Sequence, residues 1–156
     1  MGYLFSTEWP TKKALVSELS KNAIEFSVVG NHLWMAYEYQ GKLYLNLCLL
    51  SKSKDSGWGY KSMDESMGPF YYDCPKKLLK LVPVACQSWR DEVAKMHEKN
   101  EKLKNIQIGD WVETSEPYRI PRKMQLVAIL KGGLYSMVGA NGERWNLRKK
   151  HIERVL

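Results

Sequence analysis

The sequence IEFSVVGNHLWMAYEYQGKLYLNLCLL, residues 24–50, predicts the centre of the fold. It contains three runs rich in β-branched, aromatic and leucine residues, separated by the dipeptides Gly30-Asn31 and Gln40-Gly41. Runs of this length between short glycine-containing breaks are typical of antiparallel strands joined by tight turns. We expect the three strands at residues 24–29, 33–39 and 43–50.

Helical patterns flank these strands on both sides. Before them, Thr11 is placed to cap a helix whose apolar residues recur at helical spacing. After them, Asp73 is placed to cap a short helix that starts with Pro75, because proline is favoured at an early helical position. A longer helix is predicted over residues 87–104, where oppositely charged side chains lie four positions apart. Residues 1–104 are therefore predicted to form an α+β domain that ends in a connector helix.

The remaining residues, 105–156, contain short strand-like runs, and Asn141-Gly142 between two of them predicts a hairpin with a type I′ turn. About five short strands match a small, partly open barrel. The opening Ile108-Gly109-Asp110 and the final hairpin resemble those of an SH3-like barrel. The residues expected inside this barrel are Val112, Leu126, Ala128, Val138 and Leu147.

Positive charge is concentrated in the C-terminal third. Residues 1–100 hold 13 lysines and arginines against 11 acidic residues, whereas residues 101–156 hold 11 against 6. A basic surface attracts phosphate backbones and acidic proteins alike. The alternative is that these charges only keep the surface solvated. The predicted binding residues are Arg119, Arg122, Lys123, Arg148, Lys149, Lys150 and Arg154.

Several classes of function have little support in the sequence. The three cysteines have no paired spacing, which argues against a disulfide framework and predicts a cytoplasmic location. No run approaches the ~18 apolar residues that would span a bilayer, so we expect no membrane partner. The three histidines lie far apart and lack ligand spacing to the cysteines, so we expect no metal site. Without a glycine-rich phosphate loop we also expect no cofactor.

The stretch GWGYKSMDESMGPFYYDCP, residues 57–75, holds the densest polar cluster of the chain. Carboxylates beside a thiol can support acid–base or nucleophilic chemistry, and a thiol at a helix start is acidified. The alternative is structural, with carboxylates in turns and a buried thiol. We also expect residues 60–75 to pack across the sheet with most of their aromatic rings buried, because the segment is too apolar for a free loop. The cluster consists of Lys61, Asp64, Glu65, Tyr72, Asp73 and Cys74.

The same stretch resembles a signature of small proteins carried by phages, prophages and plasmids, which are domains of unknown function. The resemblance covers roughly residues 1–100 and implies an accessory protein of a mobile genetic element. It carries no catalytic assignment. Such accessory proteins often act on host defences or on host nucleic-acid machinery, which is an association rather than a physical argument.

Three hypotheses follow from these observations. The first is a binding protein, most concretely a counter-defence inhibitor of a host nuclease or nucleoprotein complex, whose basic barrel contacts nucleic acid or an acidic protein surface. The second is an enzyme that uses Asp64, Glu65, Asp73 and Cys74. The third is an inert structural or assembly module. The sequence does not indicate the oligomeric state.

Overall fold

A computed structural model describes residues 9–54, 56–67, 70–115 and 119–156. The chain divides into two compact units, with the division between Ala94 and Lys95 inside a helix. Each unit contains one antiparallel sheet, so the fold is α+β. None of the helices in the described ranges is long and apolar enough to cross a membrane.

The N-terminal unit is built on a four-stranded antiparallel sheet of order β1-β2-β3-β4. The three predicted strands correspond to β1, β2 and β3. The fourth was not predicted, because residues 51–59 are mostly polar and include two glycines. In the structure Ser51 and Ser53 extend β3 and pair with Gly59 and Gly57. The elements are α1 (Lys12–Ser20), β1 (Glu25–Val29), β2 (His32–Tyr39), β3 (Lys42–Ser53), β4 (Gly57–Asp64), α2 (Lys76–Leu81) and the first part of α3 (Gln87–Lys104).

Helices cover both faces of this sheet, because alternate residues of a strand point to opposite faces. Leu33 on β2 packs in the same buried cluster as Leu15 of α1. Trp34, the next residue, packs with Leu78 of α2 and Val93 of α3 in a second cluster. Two covered faces explain why both sets of alternating residues on β2 and β3 include large apolar side chains.

The helix starts agree with the predictions in two cases out of three. The Thr11 side chain accepts a hydrogen bond from the Ala14 amide, so the predicted cap of α1 is confirmed. The predicted bounds of α3 are also confirmed. The predicted cap of α2 by Asp73 is wrong, because Pro75 is the N-cap residue and no side chain caps it. The Asp73 carboxylate instead accepts hydrogen bonds from two side chains of β2.

The C-terminal unit contains a five-stranded antiparallel sheet of order β8-β7-β6-β5-β9. The predicted number of strands is therefore confirmed. No pairing joins β8 to β9 within residues 95–115 and 119–156, so the SH3-like barrel stays a prediction. The elements are β5 (Trp111–Thr114), β6 (Lys123–Leu130), β7 (Leu134–Gly139), β8 (Arg144–Leu147), a 3-10 turn (Lys149–His151) and β9 (Ile152–Val155).

A bulge in β6 changes which side chains fill the C-terminal core. Of the expected interior residues, Val112, Leu126 and Leu147 are buried. Ala128 and Val138 are only half-buried, so their predicted places were wrong. The register between β6 and β7 shifts between Leu126 and Ala128, which breaks the alternation from which Ala128 was predicted. Val138 pairs with Gln125 before this shift and, as the neighbour of buried Met137, points to the opposite face. The buried positions in these two strands are occupied by Met124, Leu126 and Met137.

The predicted hairpin between β7 and β8 is present, but its turn type is wrong. A type I′ turn requires positive φ at both central residues. Gly142 has a φ of 83°, whereas Asn141 does not have a positive φ. The Gly139 amide donates to the Glu143 carbonyl at 2.8 Å, so the loop closes over three residues. Glycine at the last of these supplies the left-handed conformation.

Candidate functional sites

The polar cluster predicted in residues 57–75 does not form a single site. Glu65 is buried at the end of β4, where its carboxylate forms an ion pair with the Arg90 guanidinium. Arg90 Nη2 donates to Glu65 Oε2 at 3.1 Å, and the Ala85 amide donates to the same oxygen at 3.3 Å. Arg90 also donates to the carbonyls of Leu79 and Val82, at 2.8 and 3.1 Å. This pair therefore ties the end of α2 and the start of α3 to β4.

Asp73 belongs to a second set of contacts, at the start of β2. Its Oδ2 lies 2.6 Å from His32 Nδ1, and its Oδ1 accepts a hydrogen bond from Trp34 Nε1 at 3.1 Å. An ionised carboxylate can only accept, so His32 Nδ1 is the donor in this contact. The His32 ring also packs against the Tyr71 ring, with centroids 4.5 Å apart.

Cys74 is fully buried, and burial raises the pKa of its thiol to about 12. This shift is opposite to the acidification expected of a thiol at a helix start. Its Sγ contacts the Pro75 carbonyl at 3.7 Å. At neutral pH the group is therefore a protonated thiol inside the core.

The other members of the cluster lie at the surface. Lys61 is exposed on β4, and the Asp64 carboxylate accepts a hydrogen bond from the Ser66 amide at 2.9 Å, which makes a local turn. Tyr71 and Tyr72 are 46% and 41% exposed. The expectation that most rings of this segment are buried is therefore wrong for these two tyrosines, whereas Phe70 is buried. Gly68 and Pro69 lie outside the described residues.

In the C-terminal unit, hydrogen bonds bring two segments that contain predicted basic residues to the same end of β5. The Thr114 amide donates to the Arg122 carbonyl at 2.7 Å, and the Ser115 amide donates to the His151 carbonyl at 2.9 Å. The Ser115 hydroxyl donates to the Lys150 carbonyl at 2.8 Å. The end of β5 is therefore flanked on one side by the segment that precedes β6, and on the other side by the 3-10 turn that precedes β9.

Glu113 forms ion pairs with two basic side chains at this end of β5. Its carboxylate lies 3.7 Å from Arg122 Nη2 and 3.2 Å from Arg154 Nη2. The strand register places Arg154 and Lys123 directly beside Glu113, on the same face of the sheet. Trp111 precedes Glu113 by two positions, so it shares that face, and it is 38% exposed. We call this surface, made of Trp111, Glu113, Arg122, Lys123 and Arg154, the basic face.

The other four predicted basic residues are not members of the basic face. Arg148 Nη1 donates to the Gly132 carbonyl at 3.2 Å, in the turn between β6 and β7. The pKa of Lys149 is lowered by partial burial and by the nearby Lys99 and Lys104. Arg119 and Lys150 are exposed. The structure therefore gathers three of the seven predicted basic side chains around one carboxylate.

No family model, curated protein or solved structure matches the chain. What each site can do chemically therefore follows from its own residues.

The basic face combines three cationic side chains with one carboxylate and one exposed indole. Guanidinium and ammonium groups contact phosphates, and an exposed indole offers a flat surface on which a nucleic-acid base can stack. Neither the Asp73–His32 contact nor the Glu65–Arg90 pair provides such a surface. Within the described ranges, no three histidine, cysteine, aspartate or glutamate side chains lie close enough to hold a metal ion.

Sequence reasoning did not identify four residues that organise these sites. Trp34 and Arg90 are buried or nearly buried partners of predicted carboxylates, His32 was considered only as a metal ligand, and Glu113 was not among the candidate residues. Each has a partner at least 25 residues away in the chain. Arg90 alone had a local signal. It is a charged residue next to apolar Trp89 on α3, and a charge close to a buried side chain indicates an ion-pair partner.

Proposed function

We propose that this protein binds nucleic acid through the basic face of its C-terminal unit. The observation that carries this proposal is the position of exposed Trp111 on the same face as Arg122, Lys123 and Arg154. Phosphate contacts fix the position of a nucleic acid on a protein, and stacking on an aromatic ring adds affinity for unpaired bases. Residues 95–156 hold 13 lysines and arginines against 7 acidic residues, so long-range attraction favours the same partner.

The proposed barrel is SH3-like. The last strand pairs with the first strand of the unit, and a 3-10 turn lies just before that last strand. Both features support this connectivity. The bulge between Leu126 and Ala128 also supports it, because a bulge bends a long strand and lets it turn a corner of a small barrel.

The proposed biological setting is a mobile genetic element whose accessory protein acts in the host cytoplasm on a nuclease or another nucleoprotein complex. The resemblance of residues 57–75 supports the mobile-element origin. The net charge of +7 supports contact with the nucleic acid of such a complex rather than imitation of its negative charge. The enzyme hypothesis has less support, because Glu65 is held by Arg90 and the Cys74 thiol is buried.

The decisive experiment is fluorescence anisotropy with labelled single-stranded and duplex oligonucleotides over a salt series. Each phosphate contact should lower the log–log slope of affinity against salt by about 0.9 for duplex DNA and about 0.7 for single strands. Arg154→Glu should weaken binding and make the slope shallower. Arg144→Glu is the matched control, because Arg144 is also exposed but lies on β8, at the far edge of the same sheet.

Two results would overturn the proposal. One is no binding even at low salt. The other is equal weakening by Arg154→Glu and Arg144→Glu, which would mean that only the net charge matters. Binding to polyglutamate as tight as binding to the oligonucleotides would assign the face to an acidic protein partner instead.

A further inference from the structure

Among the described residues, β1 is an edge strand of the N-terminal sheet. The opposite edge is β4, where the Trp58 amide donates to the Trp9 carbonyl at 2.8 Å and where Lys61 and Asp64 add charge. By contrast, residues 26–29 of β1 have the sequence FSVV and carry no charge. Phe26 and Val28 are 43% and 41% exposed. Natural proteins protect exposed strand edges with charge, cover or bulges. Residues 26–29 carry no charged side chain of their own, and the Lys77 ammonium reaches over this edge.

The hydrogen bonds of β2 show which backbone groups of β1 point outward. The Leu50 amide donates to the Asn31 carbonyl at 2.8 Å, in register with the pairing of β2 and β3. Because the backbone groups of successive strand residues point to opposite sides, the odd-numbered residues of β2 form hydrogen bonds with β3. The even-numbered residues therefore bond to β1, and the Ala36 carbonyl does accept from the Ile24 amide at 2.8 Å. Their register partners in β1 are Glu25, Ser27 and Val29.

The amide and carbonyl groups of Phe26 and Val28 consequently point away from the sheet. The Lys77 ammonium, which reaches over the edge, supports this direction because it donates to the Phe26 carbonyl at 3.3 Å. The same ammonium pairs with the Glu25 carboxylate at 3.0 Å. A carbonyl oxygen has two lone pairs, so the Lys77 contact leaves room for a second donor.

We propose that two copies of this chain associate through β1, antiparallel and related by a two-fold axis at Ser27. In this register Phe26 of one copy faces Val28 of the other, and the outward groups of both residues form hydrogen bonds with each other. The two four-stranded sheets become one continuous sheet of eight strands. This is strand addition at an exposed edge, with a second copy as the added strand.

A second copy fits this edge because the strand is complementary to itself. The outward-facing backbone groups belong to the second and fourth of its five residues. When a second copy runs in the opposite direction with its Ser27 beside Ser27, each outward amide meets an outward carbonyl of the other copy. Phe26 opposite Val28 is an aromatic–β-branched pair, a favourable cross-strand combination. Small Ser27 lies at the axis, and Lys77 already neutralises the Glu25 carboxylate. Contacts of this kind define an isologous interface.

The first test is the molar mass in solution, measured by sedimentation over a concentration series. The wild-type protein should reach the mass of a dimer. Val28→Pro should be monomeric, because it removes an outward-facing amide and leaves the hydrogen bonds to β2 in place. Val28→Thr is the matched control and should still dimerise, since it keeps the amide and the β-branched shape. Should Val28→Pro lower the melting temperature, the double variant Phe26→Lys/Val28→Lys replaces it, because both side chains are exposed.

The second test is cross-linking, which checks the register. A non-hydrogen-bonded pair at the axis has Cα atoms about 4.5 Å apart, within disulfide range. In a Cys86→Ser background, oxidised Ser27→Cys should form a covalent dimer, whereas Val29→Cys should not, because it faces Glu25 of the other copy. A monomeric wild type at all concentrations would overturn the proposal and leave the edge to a strand of another protein. Equal cross-linking of both cysteine variants would overturn this register. Neither test depends on nucleic-acid binding, because β1 lies in the N-terminal unit.

Discussion

The Glu113 carboxylate pairs with Arg122 through one oxygen and with Arg154 through the other, and it offsets part of their positive charge. Glu113→Gln removes this negative charge and releases both guanidinium groups. Because exposed ion pairs contribute about 0.2–1 kcal/mol, affinity for an oligonucleotide should rise by a factor of about 1.4 to 5. Fluorescence anisotropy at fixed salt measures the change. Glu38→Gln, an equal change of charge at an exposed site in the N-terminal unit, should have less effect. Weaker binding of Glu113→Gln would contradict this expectation, and it would show that the carboxylate orients the two arginines for contact with the oligonucleotide.

Among the described residues of the basic face, Trp111 is the aromatic side chain. Trp111→Ala should weaken binding of single-stranded oligonucleotides by about 1–3 kcal/mol, the usual contribution of one stacked base. Binding of duplexes should change less, because their bases are already stacked. Trp111→Phe should recover most of the affinity. If Trp111→Ala weakens both forms equally, stacking is not its role.

The three thiols of the chain differ in ionisation. Burial raises the pKa of Cys48 to about 11 and that of Cys74 to about 12, whereas hydrogen bonds from Ser88 and the Trp89 amide lower the pKa of Cys86. Thiolates are the reactive form. At pH 8 a small alkylating reagent should therefore modify Cys86 first, and the other two only after unfolding. Peptide mass spectrometry measures the order. Early labelling of Cys74 in the folded protein would revive the hypothesis of a nucleophilic thiol.

At the scale of elements, the Glu65–Arg90 ion pair joins α2 and α3 to β4. Arg90→Ala leaves a buried carboxylate without its counter-ion and three carbonyls without a donor. The free energy of unfolding should fall by about 3–5 kcal/mol, as for other buried pairs that lose one partner. Urea denaturation measures the loss. Arg90→Lys keeps the charge but not the planar fork, so its loss should be smaller. A loss below about 1 kcal/mol for Arg90→Ala would mean that water replaces the guanidinium.

Helix α3 and strand β4 show which elements local sequence can predict. The bounds of α3 follow from apolar spacing and charge pairs along one helix, and both are local properties. β4 contains Gly57 and Gly59, which are poor strand formers, and it exists because β3 offers a pairing edge. The bulge in β6 is likewise not predictable from local sequence, since nothing in the run from Met124 to Leu130 marks Val127 as the residue without a partner in β7. Pairing partners, rather than propensity, decide such features.

At the scale of the whole molecule, the buried thiols make stability depend on pH. Below about pH 9, the ordinary thiol pKa, both the folded and the unfolded chain keep the protons of Cys48 and Cys74. Above it, the unfolded chain loses them first, so the free energy of unfolding falls as the pH rises towards 11. Each thiol contributes a slope of up to about 1.4 kcal/mol per pH unit.

Denaturant unfolding at pH 8, 9, 10 and 10.5 measures this slope. The Cys48→Ala/Cys74→Ala variant should be less stable at pH 8, because it loses packing, but its stability should fall less steeply. An unchanged slope in that variant would assign the alkaline loss to other groups. Tyr37, whose pKa is raised by burial, is the first candidate among them.

The sequence by itself determined the α+β class, the cap of α1, the bounds of α3, the places of β1 to β3 and the concentration of positive charge in the last third. These features depend on neighbouring residues, and local periodicity reports them directly. Only the tertiary structure decided that Glu65 meets Arg90, that Asp73 meets His32 and Trp34, and that Glu113 gathers two arginines. The partners in the first two sets are 25 to 41 residues apart in the chain. Strand register and helix packing bring such residues together, and neither can be derived from the spacing of residues along one element.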